Sequence, residues 1–162
     1  MSFDPTRLRR GEWIAGVGGV LLLVSLFAFD WYGFDAVFTR GLAALPLSGG
    51  ASGWDAHTIL RWFMLLTVAA GVALWVLTAV ERTDAIPLSA AVIAVVVALI
   101  TTFCLAWRVL VNEPGPNEVI DVKFGAYLGL LSSAAVLVGA WLSLRDEDRD
   151  APLPEIPVRR LS

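Results

Sequence analysis

The chain has 162 residues and a formal net charge of −3, and it is unusually apolar, since 57% of its residues are hydrophobic and only 17% charged. Soluble domains have roughly 45–50% apolar and about 25% charged residues. The apolar residues come in long uncharged blocks and there is a single cysteine, which excludes a soluble globule, a nucleic-acid-binding module and a disulfide scaffold.

Four uncharged stretches predict four transmembrane helices. They cover residues 13–29, 62–80, 85–107 and 124–144, with lengths of 17, 19, 23 and 21 residues. An apolar helix of about 20 residues crosses a hydrocarbon core of about 30 Å, so each stretch can span and the first only just. The expected fold is an all-α membrane protein, an antiparallel four-helix transmembrane bundle.

The distribution of basic residues predicts the orientation of this bundle. If residues 1–12 are cytoplasmic, then so are the short turn at 81–84 and the segment 145–162, and these three segments hold 8 of the 12 Lys and Arg residues. The external loops, 30–61 and 108–123, hold the other 4 over a longer length of chain. Because basic residues concentrate on the cytoplasmic side, both termini are predicted to lie in the cytoplasm.

An aromatic cluster follows the first span. It consists of Phe27, Phe29, Trp31, Tyr32 and Phe34. Aromatic rings settle at the level of the lipid headgroups, so we interpret these five residues as interfacial anchors.

The first external loop is predicted to contain a short amphipathic element and a helical lead-in to the second span. Between residues 33 and 47 apolar side chains recur at near-helical spacing, which indicates a short element lying in the membrane interface. After a turn rich in Gly and Ser, Asp55 is the predicted N-cap of a helix that begins at Ala56 and continues without a break into the second span.

Polar side chains that could form a site lie in the two external loops. His57, the only histidine, and Arg61 are four residues apart and would share one helix face. With nearby aspartates, His57 could form an external ion or small-ligand site, and the alternative is a set of ion pairs that tie the loops to the bundle. The candidate polar cluster consists of Asp30, Asp35, Asp55, His57, Arg61 and Asp121.

Groups that could carry out catalysis are scarce. The four spans contain no Asp, Glu, Lys, Arg or His, and ionisable residues inside the membrane mark proton relays and ion paths. The chain also has no phosphate-binding loop and no metal-protease or nucleophile-elbow motif. We therefore expect a protein that is not an enzyme and that needs no cofactor or metal.

The third and fourth spans carry ordered faces of small residues. In the fourth span these residues recur at spacings of three and four, which confines them to an arc of roughly 120°. Small faces let helices approach closely, either within the bundle or between protomers, and both alternatives are open. The faces consist of Ala90, Ala94 and Ala98, and of Gly125, Gly129, Ser132, Ala135, Gly139 and Ser143.

The segment 145–162 loses the apolar character of the spans. It combines charges of both signs with three prolines, a composition typical of disordered segments. We expect a disordered cytoplasmic tail, which could be a solvated end or a short docking peptide.

Several short motifs resemble those of small four-span membrane proteins of uncharacterised function from actinobacteria. They are GEW at 11–13, SLFAFDWYGF at 25–34, GWDAH at 53–57 and FGAYLGLL followed by GAWLSLRDE at 124–147. The resemblance implies a location in the bacterial plasma membrane and no assigned activity. The four spans and the tryptophan in the first external loop are similar in architecture to the claudin group, but that group's two loop cysteines are missing.

These observations favour a non-catalytic scaffold or accessory subunit that acts through helix–helix association. Its expected partners are the lipid bilayer and either further copies of the chain or a larger membrane protein, with no nucleic acid. The alternative is an oligomeric pore or carrier for a small neutral solute, lined by Ser and Thr hydroxyls of the spans.

Overall fold

Four long helices dominate the computed structural model, which describes residues 8–34, 50–80, 85–112 and 120–150. Each of them contains a segment long and apolar enough to cross a membrane, so the predicted bundle of four apolar helices is confirmed. In chain order the elements are α1 (Arg10–Ala28), β1 (Asp30–Phe34), β2 (Ala51–Ser52), α2 (Gly53–Ala56), α3 (Leu60–Val80), α4 (Ala85–Leu110), β3 (Ile120–Val122) and α5 (Phe124–Asp150).

The helices pack in a closed ring. α1 lies between α5 and α3, and α4 closes the other side by packing on α3 and α5. Two clusters of buried apolar residues fill the interior. One consists of Leu26, Trp31, Tyr32, Met64, Leu105, Val109 and Ala126, and the other, farther along the bundle, of Ala15, Leu74, Ala91, Ala94 and Ala140.

The small-residue face of α5 lies against α1 of the same chain. A Cβ added to Gly139 would overlap backbone atoms of Gly11 and Ala15, so the two backbones are almost in contact. Near the same end of this pair, the buried carboxylate of Glu12 accepts hydrogen bonds from Ser143 Oγ and from the Arg9 backbone N–H. In α4, Ala94 and Ala98 are fully buried, and Ala90 packs at the edge of the interior. Most of these small residues are thus packed within the bundle, whereas Ala135 is only half-buried.

A three-stranded antiparallel sheet covers one end of the bundle, in the order β2-β1-β3. Residues Tyr32, Gly33 and Phe34 of β1 pair with Val122, Asp121 and Ile120 of β3. We call this sheet together with α2 the cap, and the end of the bundle that it covers the capped end. The cap was not predicted, because strands of two to five residues leave no readable alternation in the sequence.

The predicted helical lead-in to the second span is wrong. Ser52, and not Asp55, is the N-cap of α2, since its Oγ accepts from the Asp55 backbone N–H at 3.3 Å. α2 ends at Ala56, His57 has an extended backbone, and α3 begins only at Leu60. The break lets the His57 ring pack among the aromatic residues of the cap, and this burial outweighs the local helical preference.

The last helix is longer than predicted. Residues 145–150, assigned to a disordered tail, continue α5. These residues include no helix breaker, so the helix continues through them. It ends at Asp150, because the helical conformation is disfavoured for the residue before Pro152. Most of the predicted amphipathic element at 33–47, together with the turn at 81–84 and the tail at 151–162, lies outside the described residues.

Candidate functional site at the capped end

Trp31 forms the centre of the capped end. Its side chain is fully buried, and its Nε1–H donates to the Ser25 carbonyl oxygen at 2.8 Å. The indole lies against Gly53 of α2 and against Gly125 and Gly129 of α5, where an added Cβ would overlap the ring. Gly125 and Gly129, four residues apart on α5, therefore leave the space that a tryptophan of the cap fills.

The interpretation of the aromatic cluster as interfacial anchors is wrong for two of its members. Trp31 is 0% exposed and Tyr32 is 3% exposed, whereas Phe27 and Phe29 are exposed. The two buried rings lie on β1, whose pairing with β2 and β3 folds them under the cap. The burial of these two rings depends on strand pairing between distant loops, which cannot be predicted from the number of aromatic residues in one short segment.

His57 is buried against both of these rings. It contacts Trp31 and Tyr32 edge to face, with ring centroids 5.7 Å apart in each case, and its Nε2 lies 3.5 Å from Tyr32 Oη. Burial lowers the pKa of His57 from 6.5 to about 4, and the positive charge of Arg108 contributes in the same direction. His57 is therefore neutral at pH 7.

The aspartates of the candidate polar cluster do not gather around His57. Asp55 accepts a hydrogen bond from Ser52 Oγ at 2.7 Å, and Asp121 pairs with Lys123 at 3.3 Å. Asp30 is an exposed residue of β1, and Asp35 lies outside the described residues. Among the residues that the structure describes, no three His, Cys, Asp or Glu side chains come together as metal ligands would.

Arg61 also lies apart from His57, because the break at the start of α3 removes the helix face that the two were expected to share. Its guanidinium stacks over Trp54, 4.8 Å from the ring centroid, and lies 5.7 Å from that of Trp62. The two indoles themselves contact edge to face at 5.6 Å. Arg61 is thus held by aromatic faces.

A lateral groove opens beside His57, between the α2–α3 junction and the last turns of α4. It has a volume of about 690 Å³, within the roughly 300–1,000 Å³ typical of small-molecule sites. We call it the Arg108 groove. Its lining includes His57, Thr58, Phe63, Phe103, Trp107 and Arg108.

Arg108 differs from the other cations described at the capped end. Lys123 pairs with Asp121, and Arg61 stacks on tryptophans. Arg108 lies on the groove, half-buried, and within the described ranges its guanidinium has no hydrogen bond or ion pair. The groove therefore combines apolar walls with one cationic end. The groove was not predicted from the sequence, in which the only sign of it is that Arg108 directly follows the uncharged run 85–107.

A second, entirely apolar groove of about 300 Å³ runs between α1 and α5. We call it the α1–α5 groove. Gly18 and Ala135 keep its floor low, and larger side chains form its walls. Its lining consists of Trp13, Ile14, Val17, Gly18, Leu21 and Ala135.

The hydroxyls expected to line a pore are hydrogen-bonded inside the bundle. Thr67 Oγ1 donates to Thr101 Oγ1 at 2.7 Å, which joins α3 to α4, and Ser25 Oγ donates to the Gly125 carbonyl oxygen at 2.7 Å. Thr102 Oγ1 likewise donates to Ser133 Oγ at 3.2 Å. These hydroxyls connect neighbouring helices.

The chain was compared with protein-family models, curated proteins and solved structures, and none of them matches it.

Proposed function

We propose that the protein is a multi-pass protein of a bacterial plasma membrane, with both termini in the cytoplasm and the cap on the outside. The four apolar helices and the concentration of basic residues in segments 1–12, 81–84 and 145–162 support this placement. In this orientation the Arg108 groove lies at the outer boundary of the hydrocarbon.

Within this membrane we propose a non-catalytic accessory or scaffold role, in which the bundle binds a transmembrane helix of a second copy or of a larger membrane protein. Most small residues of α4 and α5 are already packed inside the bundle, so association needs a surface that these residues leave open. The α1–α5 groove supports the proposal, because its low floor at Gly18 and Ala135 lets a further helix approach closely.

Filling this groove tests the association. Val17 is exposed at its wall, so Val17→Phe should occupy the space that a partner helix would enter. Leu23→Phe adds a ring to another exposed position of α1 that does not line the groove, and serves as the matched control. We expect native mass spectrometry in mild detergent to show a complex for the wild type and for Leu23→Phe, and mainly monomer for Val17→Phe. A wild type that is strictly monomeric, without any co-purifying membrane protein, would overturn the proposal.

The alternative proposal, an oligomeric pore or carrier for a small neutral solute, needs a lumen between protomers, because hydroxyls of the spans are bonded to one another or to backbone carbonyls within the bundle. Solute flux into liposomes above that of empty vesicles is the measurement it requires.

A further inference from the structure

We propose that the Arg108 groove binds one anionic phospholipid, whose phosphate contacts the Arg108 guanidinium and whose acyl chain lies along Phe63, Phe103 and Trp107. This inference does not depend on the proposed helix association, which concerns the α1–α5 groove between other elements.

The shape and walls of the groove fit a lipid chain. Phe103 and Trp107 are 73% and 53% exposed, and with Phe63 and Ile59 they form an apolar surface that opens sideways from the bundle. The groove lies where α3 begins and α4 ends, so its apolar part continues the surface of two helices that can span a membrane. An acyl chain can therefore enter from the side, without passing the cap.

The charge of the groove selects the headgroup. Arg108 carries a guanidinium that no described residue neutralises, whereas the histidine beside it is neutral at pH 7. A guanidinium binds phosphate through paired charge-assisted hydrogen bonds, and the exposed hydroxyl of Thr58 lines the same groove. A zwitterionic headgroup would add a second cation near Arg108, so an anionic phospholipid is favoured.

Cys104 provides a probe of occupancy. It is the only cysteine of the chain and it lines the groove, so alkylation by N-ethylmaleimide reports on one defined position. The full-length protein would be reconstituted in phosphatidylcholine nanodiscs with increasing fractions of phosphatidylglycerol, and the alkylation rate measured at fixed pH. We expect phosphatidylglycerol to slow the reaction in a saturable way.

Variants separate binding in the groove from the general effect of a negative membrane surface. Loss of the charge-assisted bond in Arg108→Gln should weaken the apparent affinity for phosphatidylglycerol about tenfold, and Arg108→Lys should recover part of it. Arg145→Gln, which removes an exposed cation from the opposite end of α5, is the matched control and should behave as the wild type. Glycerol 1-phosphate, which has the phosphate without the acyl chains, should give no protection.

Two results would overturn the proposal. One is a wild-type alkylation rate that is the same with and without phosphatidylglycerol, a result that requires no variant. The other is equal protection in the wild type and in Arg108→Gln.

Discussion

The six-membered ring of the Trp31 indole rests directly on Gly129, so that a Cβ at position 129 would overlap it. This contact joins the cap to α5, and it predicts the effect of adding one methyl group. In a helix interior, Gly→Ala normally stabilises by about 1 kcal/mol. Here the overlap should reverse the sign, and we expect Gly129→Ala to lower the free energy of unfolding by about 1–3 kcal/mol.

A double-mutant cycle isolates this contact. Phenylalanine lacks the part of the indole that overlaps the added Cβ, so Gly129→Ala should cost clearly less in a Trp31→Phe background. The measurement is denaturant unfolding in detergent micelles, followed by near-ultraviolet circular dichroism. Additive effects of the two substitutions would show that Trp31 does not rest on Gly129.

The burial of His57 predicts a dependence of stability on pH. Its pKa is about 4 in the folded chain and 6.5 when exposed, so the unfolded chain binds more protons between these values. Stability therefore rises with pH across this window and is lost as the pH falls from 6.5 towards 4, by at most about 1.4 kcal/mol per pH unit.

His57→Phe keeps an aromatic ring at this position but cannot be protonated. As the pH is lowered from 6.5 to 5, the unfolding free energy of the wild type should fall relative to that of His57→Phe. A difference that stays constant over this range would mean that His57 keeps an ordinary pKa in the folded protein.

The stacking of Arg61 on Trp54 predicts a favourable coupling between the two residues. Arg61→Met keeps a long apolar side chain without the charge, and Trp54→Leu removes the aromatic face. The double-mutant cycle should give a coupling of about 0.5–2 kcal/mol, the range of cation–π contacts. The control cycle pairs Arg145→Met with Trp54→Leu, two positions at opposite ends of the bundle, and should show no coupling. An equally small coupling between Arg61 and Trp54 would contradict the stacking.

Two buried serines of α5 predict different costs for the loss of one hydroxyl. Ser143 donates to Glu12 Oε1, so Ser143→Ala leaves this buried oxygen without that hydrogen bond and should cost about 1–3 kcal/mol. Ser132 donates to the Leu128 carbonyl of its own helix at 2.7 Å, and Ser132→Ala should cost less. Thermal unfolding of the two variants, compared side by side, checks the order, and equal costs would argue against the Glu12 contact.

The long helices could be predicted from sequence because each apolar run carries its own signal. Nothing similar marks the cap, whose β1 pairs with residues from a different loop, and Trp31 and Tyr32 are buried only because of that pairing. The same distant contacts break the helix at His57 and separate it from Arg61. The spacing of the small residues of α5 predicts a packing face, but Gly129 packs on a tryptophan of the cap, which helix periodicity alone does not indicate.

The hydrogen bonds between α1 and α5 occur at both ends of this helix pair. Glu12 and Ser143 are linked at one end, and Ser25 donates to the Gly125 carbonyl oxygen at the other. If the two helices rotated or slid relative to each other, at least one of these hydrogen bonds would break. Any conformational change of the bundle that preserves both hydrogen bonds must therefore keep α1 and α5 together and displace α3 or α4 against them.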